Sequence, residues 1–313
     1  MPDTATPLTT PTAGEAQALL PSQALRGHRI GISVSDSADL ARLGLTPVHF
    51  KLAVRELART VLVGGGTLAY GGHLRPGGFT EFLIGELGQY AGAGLLDGEG
   101  RQQELALLLC LASHEHRKST LDELARANED LGLHGEMRCL DVNGQVVFDR
   151  EAGRGAQAEP VPADKAVLAQ GLTSLRRYMV GHTSARMLIG GGRHNSAGVM
   201  PGLMEEALLA LQSRQPLYMA AGFGGAALDM AAVIDARCQG LCPRLDTDPP
   251  LDATTLASLE TIKTLVAEGG GWQRLNNGLD DNENLHLAMT HRPAEIASLV
   301  GLGLGRWAQQ HPS

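Results

Sequence analysis

Nowhere does the 313-residue chain run the roughly 18 consecutive apolar residues that a membrane-spanning helix needs. Its first residues, "MPDTATPLTTPTAGEAQALLPSQ", lack both the basic start and the apolar core of a secretory signal. The four cysteines, Cys110, Cys139, Cys238 and Cys242, contain no CxxC pair, and Cys110, within the apolar run "LALLLCLA", reads as a buried free thiol, which suits a reducing compartment. Basic residues number 26 against 34 acidic ones, a net charge of -8, which argues against a nucleic-acid surface and leaves room for a local basic pocket. Aromatic residues are only 4%. Together these absences lead to an expectation of a cytoplasmic globular protein, with no membrane and no nucleic acid as partner.

Several standard motifs are also missing. "GGHLRPGG" is not a GxGxxG placed directly after the first strand, nor the GxxxxGK[ST] of a P-loop, so a standard dinucleotide dehydrogenase or NTPase is disfavoured. There is no HExxH. "SHEHRKS" places His114 and His116 two residues apart, which do not share a helix face, and no third ligand is evident. It reads as a solvated loop, and no metal is expected.

What the chain has in excess is glycine, 40 residues, well above the usual ~7%. The glycines are clustered, as they are where backbone approaches a ligand or turns tightly from strand to helix. "RIGISVS" (Arg29–Ser35) reads as a buried strand leading into the polar loop "DSADLARLG". "TPVHFKLAVRELARTVLV" has an N-cap Thr, a Pro at the first helical position and helical apolar spacing. "TLAYGG" then reads as a strand, "GGFTEFLIGELGQYA" as a helix and "QELALLLCLA" as a strand buried on both faces. The pattern recurs in "ARMLIGGG", "PGLMEEALLALQSR" and "PLYMAAGFGGAALDMAAVIDARC". Strand, glycine loop and helix in alternation predict an α/β fold: a doubly wound, mostly parallel, Rossmann-like sheet with helices on both faces. Residues 1–26 read as a flexible leader and 27–245 as the Rossmann-like domain, with a small β insertion at about 134–160 signalled by Asn-Gly. Residues 246–313 read as extra C-terminal helices packed on the same domain.

In such a sheet, ligands bind outside the carboxyl ends of the strands. Four loops are expected at that edge. The first, "SVSDSAD" (Ser33–Asp39), carries Ser35, Asp36 and Ser37. The second, "LAYGGHLRPGGFTEFL", carries Gly71, Gly72, His73, Arg75, Gly77, Gly78 and Thr80. The third carries Gly190, Gly191, Gly192, Arg193, His194 and Gly202, and the fourth Gly222, Phe223, Gly224 and Gly225. Glycine backbone, hydroxyls and arginine forks suit an anionic ligand such as a phosphate. Candidate catalytic carboxylates are Glu81, Glu205 and Glu206, each of which also fits simple stabilisation of a helix N-terminus.

The order "ISVSDS", "LAYGGHLRPGGFTE", "IGGG...MPGLMEEAL", "PLYMAAGFGGAA" resembles the SLOG superfamily of Rossmann-like domains, in particular its bacterial stand-alone or defence-associated clusters, over about Arg29 to Asp235. That superfamily includes the LOG phosphoribohydrolases, DprA, the ligand-sensing region of TRPM channels and the sensor domain of Thoeris effectors. The resemblance implies a pocket for a nucleotide or an NAD-derived, ADP-ribose-type ligand, with no other cofactor required. It further implies a homo-oligomer and a TIR-type or other effector as partner, in antiphage or stress signalling. Where LOG enzymes carry PGGxGTxxE, this chain has Pro201-Gly202 followed by Leu203-Met204, then Glu205 and Glu206. The departure favours sensing over hydrolysis of an N-glycosidic bond, which stays as the alternative.

Overall fold

The computed structural model describes residues 20–92, 106–132, 134–148, 164–194 and 196–311. The first half runs β1 (Arg29–Ser35), α1 (Pro47–Val63), β2 (Thr67–Gly72), α2 (Phe79–Gly92), β3 (Leu107–Leu111), α3 (Ser113–His116), α4 (Leu121–Leu131), β4 (Gly135–Leu140) and β5 (Val146–Phe148). The second half runs α5 (Lys165–Gly181), β6 (Ala185–Gly190), α6 (Gly202–Gln212), β7 (Leu217–Ala220), α7 (Gly225–Ile234), α8 (Ala253–Glu268), α9 (Asp281–Met289) and α10 (Pro293–Gln310). The strands form one sheet in the order β5-β4-β3-β2-β1-β6-β7, parallel except for the edge pair β4–β5. This is the expected α/β, doubly wound, Rossmann-like architecture. The order reverses between β1 and β6, and that is where a crevice opens in sheets of this kind.

The two faces of β1 differ, and the difference positions the site. Ile30, Ile32 and Val34 alternate onto a face covered by α1, α2 and α10, where they join a core that includes Phe50, Leu57, Leu83 and Val300. Gly31, Ser33 and Ser35 alternate onto the opposite face, where α5 and α6 pack. Under α5 the cover is apolar, with Leu175 and Met179 against Ala69, Leu108 and Cys110. Directly beneath α6, β6 places Arg186 beside Gly31 in the ladder. A strip of polar and small residues therefore runs through the middle of an otherwise apolar sheet.

Three expectations change in detail. The segment read as an insertion supplies β4, a full parallel member of the sheet beside β3, and only β5 is antiparallel. Its Gly/Pro-rich continuation, 149–163, lies outside the described residues, as do residues 1–19 of the expected leader. From Leu20 onward the chain is fastened down, for Leu25 is fully buried and its N–H donates to Gly64 O at 2.9 Å. Finally, α5 has no counterpart among the helices read from the sequence. No described helix is long and apolar enough to cross a membrane.

Candidate functional site

A cleft of about 320 Å³ opens at the carboxyl edge of the sheet where the strand order reverses. The end of β1 contributes Ser33, Ser35 and Asp36, and β2 contributes Gly71, Gly72 and His73. His114 and Glu115 come from α3, Arg186 from β6, and Gly202, Leu203 and Glu206 from the first turns of α6. The far wall is α5, with Leu172, Leu175 and Met179 giving an apolar surface and Arg176 a charged one. One wall is thus greasy and the other carries charge and backbone N–H groups. Small-molecule sites commonly combine the two in this way.

The floor is a buried ionic network. Arg186 is 1% exposed, and its Nη1 donates to Ser33 Oγ at 2.9 Å and to Glu206 Oε2 at 2.6 Å. The Ser33 hydroxyl also donates to Glu206 Oε2. Gly31 makes this possible, because a Cβ there would lie 3.3 Å from the Arg186 guanidinium. Glu205, buried behind the cleft, accepts from Thr173 Oγ1 at 2.5 Å and from Arg176. Arg176 Nε also lies 3.8 Å from Glu206 Oε1. Pro201 precedes α6 and supplies no side-chain cap, and Gly202 and Leu203 of the uncapped first turn line the cleft, with the Arg176 guanidinium against Gly202. The Tyr70 phenol, at the cleft's edge, is pushed well above its ordinary range by burial and by the Glu206 and Asp36 carboxylates, which keeps it a proton donor.

The sequence-nominated residues fall into two groups. Ser35, Asp36, Gly71, Gly72, His73, Gly202 and Glu206 come together on the cleft. The others have structural partners or lie away from it. Ser37 is buried and its Oγ accepts the Asp39 N–H. Arg75 points out and pairs with Glu115 at 3.1 Å. Gly77 donates its N–H to Glu81 at 2.5 Å, so that carboxylate closes the loop before α2 rather than facing the cleft. Gly78 sits beside it, and Thr80 is buried against Gly72. Gly190 and Gly191 have positive φ and stitch loops together, Gly191 N–H donating to Ser35 O at 3.0 Å and Gly191 O accepting from Ala226 at 2.9 Å. Gly192 is exposed and His194 half-buried, both away from the cleft lining. Arg193 is clamped between Asp39 and Asp229.

The fourth loop is packed into the protein. Gly222, Phe223, Gly224 and Gly225 are all buried, the Phe223 ring packing tilted against Phe50 at 4.7 Å between centroids. A Cβ on Gly222 would come within 1.9 Å of the Thr290 carbonyl oxygen. Gly222→Ala is therefore expected to destabilise the fold by about 3 kcal/mol through overpacking, read as a lower urea midpoint. An unchanged midpoint would mean that the α9–α10 connection yields.

The reading of "SHEHRKS" as a solvated loop is corrected. It forms the short α3, with His116 buried and bonded to Leu140 O at 3.0 Å and with His114 and Glu115 on the cleft. Burial pushes the Glu115 carboxyl up, but hydrogen bonds and charges from His114 and Lys118 outweigh it and bring it from 4.5 to about 2. The folded-state value is the lower one, so Glu115 contributes stability above pH 4.5 that is lost as pH falls toward 2. Glu115→Gln is expected to flatten the stability-against-pH curve in that window and leave it parallel to wild type at neutral pH. Among the described residues no group of His, Cys, Asp and Glu is arranged to hold a metal ion.

A family model described as SLOG cluster2 matches residues 24–287. The chain belongs to the SLOG cluster2 family. The match takes in α8 and most of α9 of this SLOG domain, which the sequence resemblance placed outside, and it begins within the fastened stretch before β1. No curated protein and no solved structure matches the chain. Charged residues on the cleft that sequence reading did not nominate for a ligand are Arg176, Arg186, His114 and Glu115. Arg176 had a signal: Asp164 as N-cap followed by Leu168, Leu172, Leu175 and Met179 at helical spacing. Arg186 had one too, as a lone charge inside the apolar strand "ARMLIG".

Proposed function

We propose that the cleft binds a nucleotide or an NAD-derived ligand of the ADP-ribose type and holds it as a signal. The observation that carries this reading is the division of the cleft at the β1–β6 reversal. The uncapped first turn of α6, with Arg176 beside it, suits a phosphate. The apolar surface of α5 suits a base. Membership of the SLOG family adds a fold in which such a crevice is the expected ligand site. In this reading the protein works in the cytoplasm, as a homo-oligomer, and passes the signal to an effector of TIR type in antiphage or stress responses. The family resemblance supports those finer points.

A second reading, LOG-like hydrolysis of an N-glycosidic bond, rests on Glu206, the one of the three candidate catalytic carboxylates that lies on the cleft. Against it stands the use both α6 carboxylates already have: Glu205 is bonded to Arg176 and Thr173, and Glu206 to Arg186 and Ser33. Calorimetry with ADP-ribose, NAD and cyclised ADP-ribose is expected to show saturable binding, with chromatography recovering the nucleotide intact. Steady release of free base would replace sensing by hydrolysis. Absence of heat with every one of them would remove the nucleotide reading.

A further inference from the structure

We propose that Glu206 reads a ribose hydroxyl of the ligand, and that Arg186 and Ser33 are positioning residues that aim its carboxylate, so that the cleft discriminates ribonucleotides from their deoxy counterparts. The inference rests on the nucleotide reading above. Its basis is the asymmetry of the two Glu206 oxygens. Oε2 is occupied from below by the Ser33 hydroxyl and by Arg186 Nη1 at 2.6 Å. Oε1 has Arg176 Nε at 3.8 Å, beyond hydrogen-bond reach. Glu206 is 19% exposed and lines the cleft, so its unused acceptor capacity is available to a ligand.

The identity of the donor follows from charge. A phosphate oxygen would be repelled by this carboxylate, and the uncapped α6 first turn offers the phosphate a better place. A neutral hydroxyl gains a charge-assisted hydrogen bond, the stronger kind. Glu205, the neighbouring carboxylate, is buried against Arg176 and Thr173 and does not line the cleft, so it cannot take the role.

The arrangement beneath Glu206 is costly for a merely structural one. Arg186 is almost fully buried, yet its Nε and Nη2 have no hydrogen-bond partner, a condition that is rare for buried polar groups. It is built into a β-strand, facing a glycine whose missing side chain gives it room. What that burial secures is a fixed direction for one carboxylate oxygen pair at the floor of a ligand cleft. A site built to accept from a hydroxyl discriminates strongly against the analogue without it, because its buried acceptor is left unpaired.

The test is calorimetric titration of the whole protein with AMP and ADP-ribose and with their 2'-deoxy and 3'-deoxy counterparts. At least one deoxy form is expected to bind wild type at least tenfold more weakly than the parent. In Glu206→Gln that ratio is expected to shrink to near one. In Ser33→Ala, which removes one of the two bonds aiming the carboxylate and disturbs packing little, it is expected to fall part-way. A variant that merely loses stability lowers the melting temperature without altering the ratio. If wild type binds parent and both deoxy forms within twofold, or if Glu206→Gln keeps the full ratio, the proposal is overturned while nucleotide binding stands. If neither parent nucleotide binds, the nucleotide reading itself fails and this inference fails with it.

Discussion

Arg193→Ala is expected to melt on the order of 10 °C below wild type. The guanidinium bridges two acidic groups, Nη1 to Asp39 at 2.7 Å and a fork to Asp229 at 2.6 and 2.9 Å. All three side chains are nearly closed off from solvent, at 9%, 4% and 12% exposure. Burial pulls the arginine's proton affinity down, but hydrogen bonds and charge from Asp229 and Asp39 raise it well above its ordinary value. Removing one partner of such a group strands the others, at a cost of about 3–5 kcal/mol. For a domain of this size each kcal/mol moves the midpoint by roughly 2–4 °C. The consequence also spreads, because Asp39 accepts the Gly225 N–H at 2.8 Å and Arg193 O accepts from Thr255 at 2.9 Å. The β1 loop, the β6 loop, α7 and α8 are thus joined at one guanidinium. Arg193→Lys keeps a charge but cannot make the fork, so its melting temperature should lie between the two. A fall of less than about 2 °C for Arg193→Ala in scanning calorimetry would remove the clamp from this account.

The same residue shows what could be read from the sequence and what could not. The parallel sheet was legible because its strands are short apolar runs broken by glycine loops, and periodicity reports burial directly. The edge at which the cleft opens was legible too, because topology dictates where such a crevice forms once the sheet is known. Arg193 and the Gly222–Gly225 loop were nominated correctly as lying in loops at that edge, but the structure commits them inward. Whether a loop arginine meets ligand or two aspartates from 154 residues upstream and 36 downstream depends on long-range packing, which no local pattern encodes. Gly77, Gly78 and Glu81 differ only in degree: a carboxylate four residues on takes up the Gly77 N–H and completes the turn locally. The floor of the cleft was partly written in the sequence. In "RIGISVS" the alternation of Ile, Ile and Val with Gly, Ser and Ser marks one apolar and one small polar face, and "ARMLIG" carries a charge where a buried strand should have none. Neither signal says that the two strands are neighbours. Their pairing, Gly31 beside Arg186, brings the signals together.

Arg176→Ala is expected to weaken binding of a phosphorylated ligand on the order of a hundred-fold, the largest effect on affinity of any single cleft substitution. Arg176 is the cleft's one half-buried guanidinium reaching from the apolar wall, α5, to the charged wall, α6. Its side chain is 12% exposed, it pairs with Glu205, and it approaches Glu206 at 3.8 Å. A charge-assisted hydrogen bond to a ligand anion contributes about 1.5–3 kcal/mol, and truncation removes more than that bond. It leaves Glu205 buried with only Thr173 as partner, and the proposed phosphate site then faces Glu205 and Glu206 with Arg186 as the remaining cation, paired to Glu206. The direction of the effect on stability follows from the same count, so melting should also fall. Affinity must therefore be measured well below the new midpoint. Arg176→Lys separates the two contributions. A point charge restores the balance against Glu205 and Glu206 but not a two-pronged grip on phosphate, so stability should recover further than affinity. Binding by Arg176→Ala within about threefold of wild type would move the phosphate off this wall and leave the α6 first turn to hold it through backbone alone.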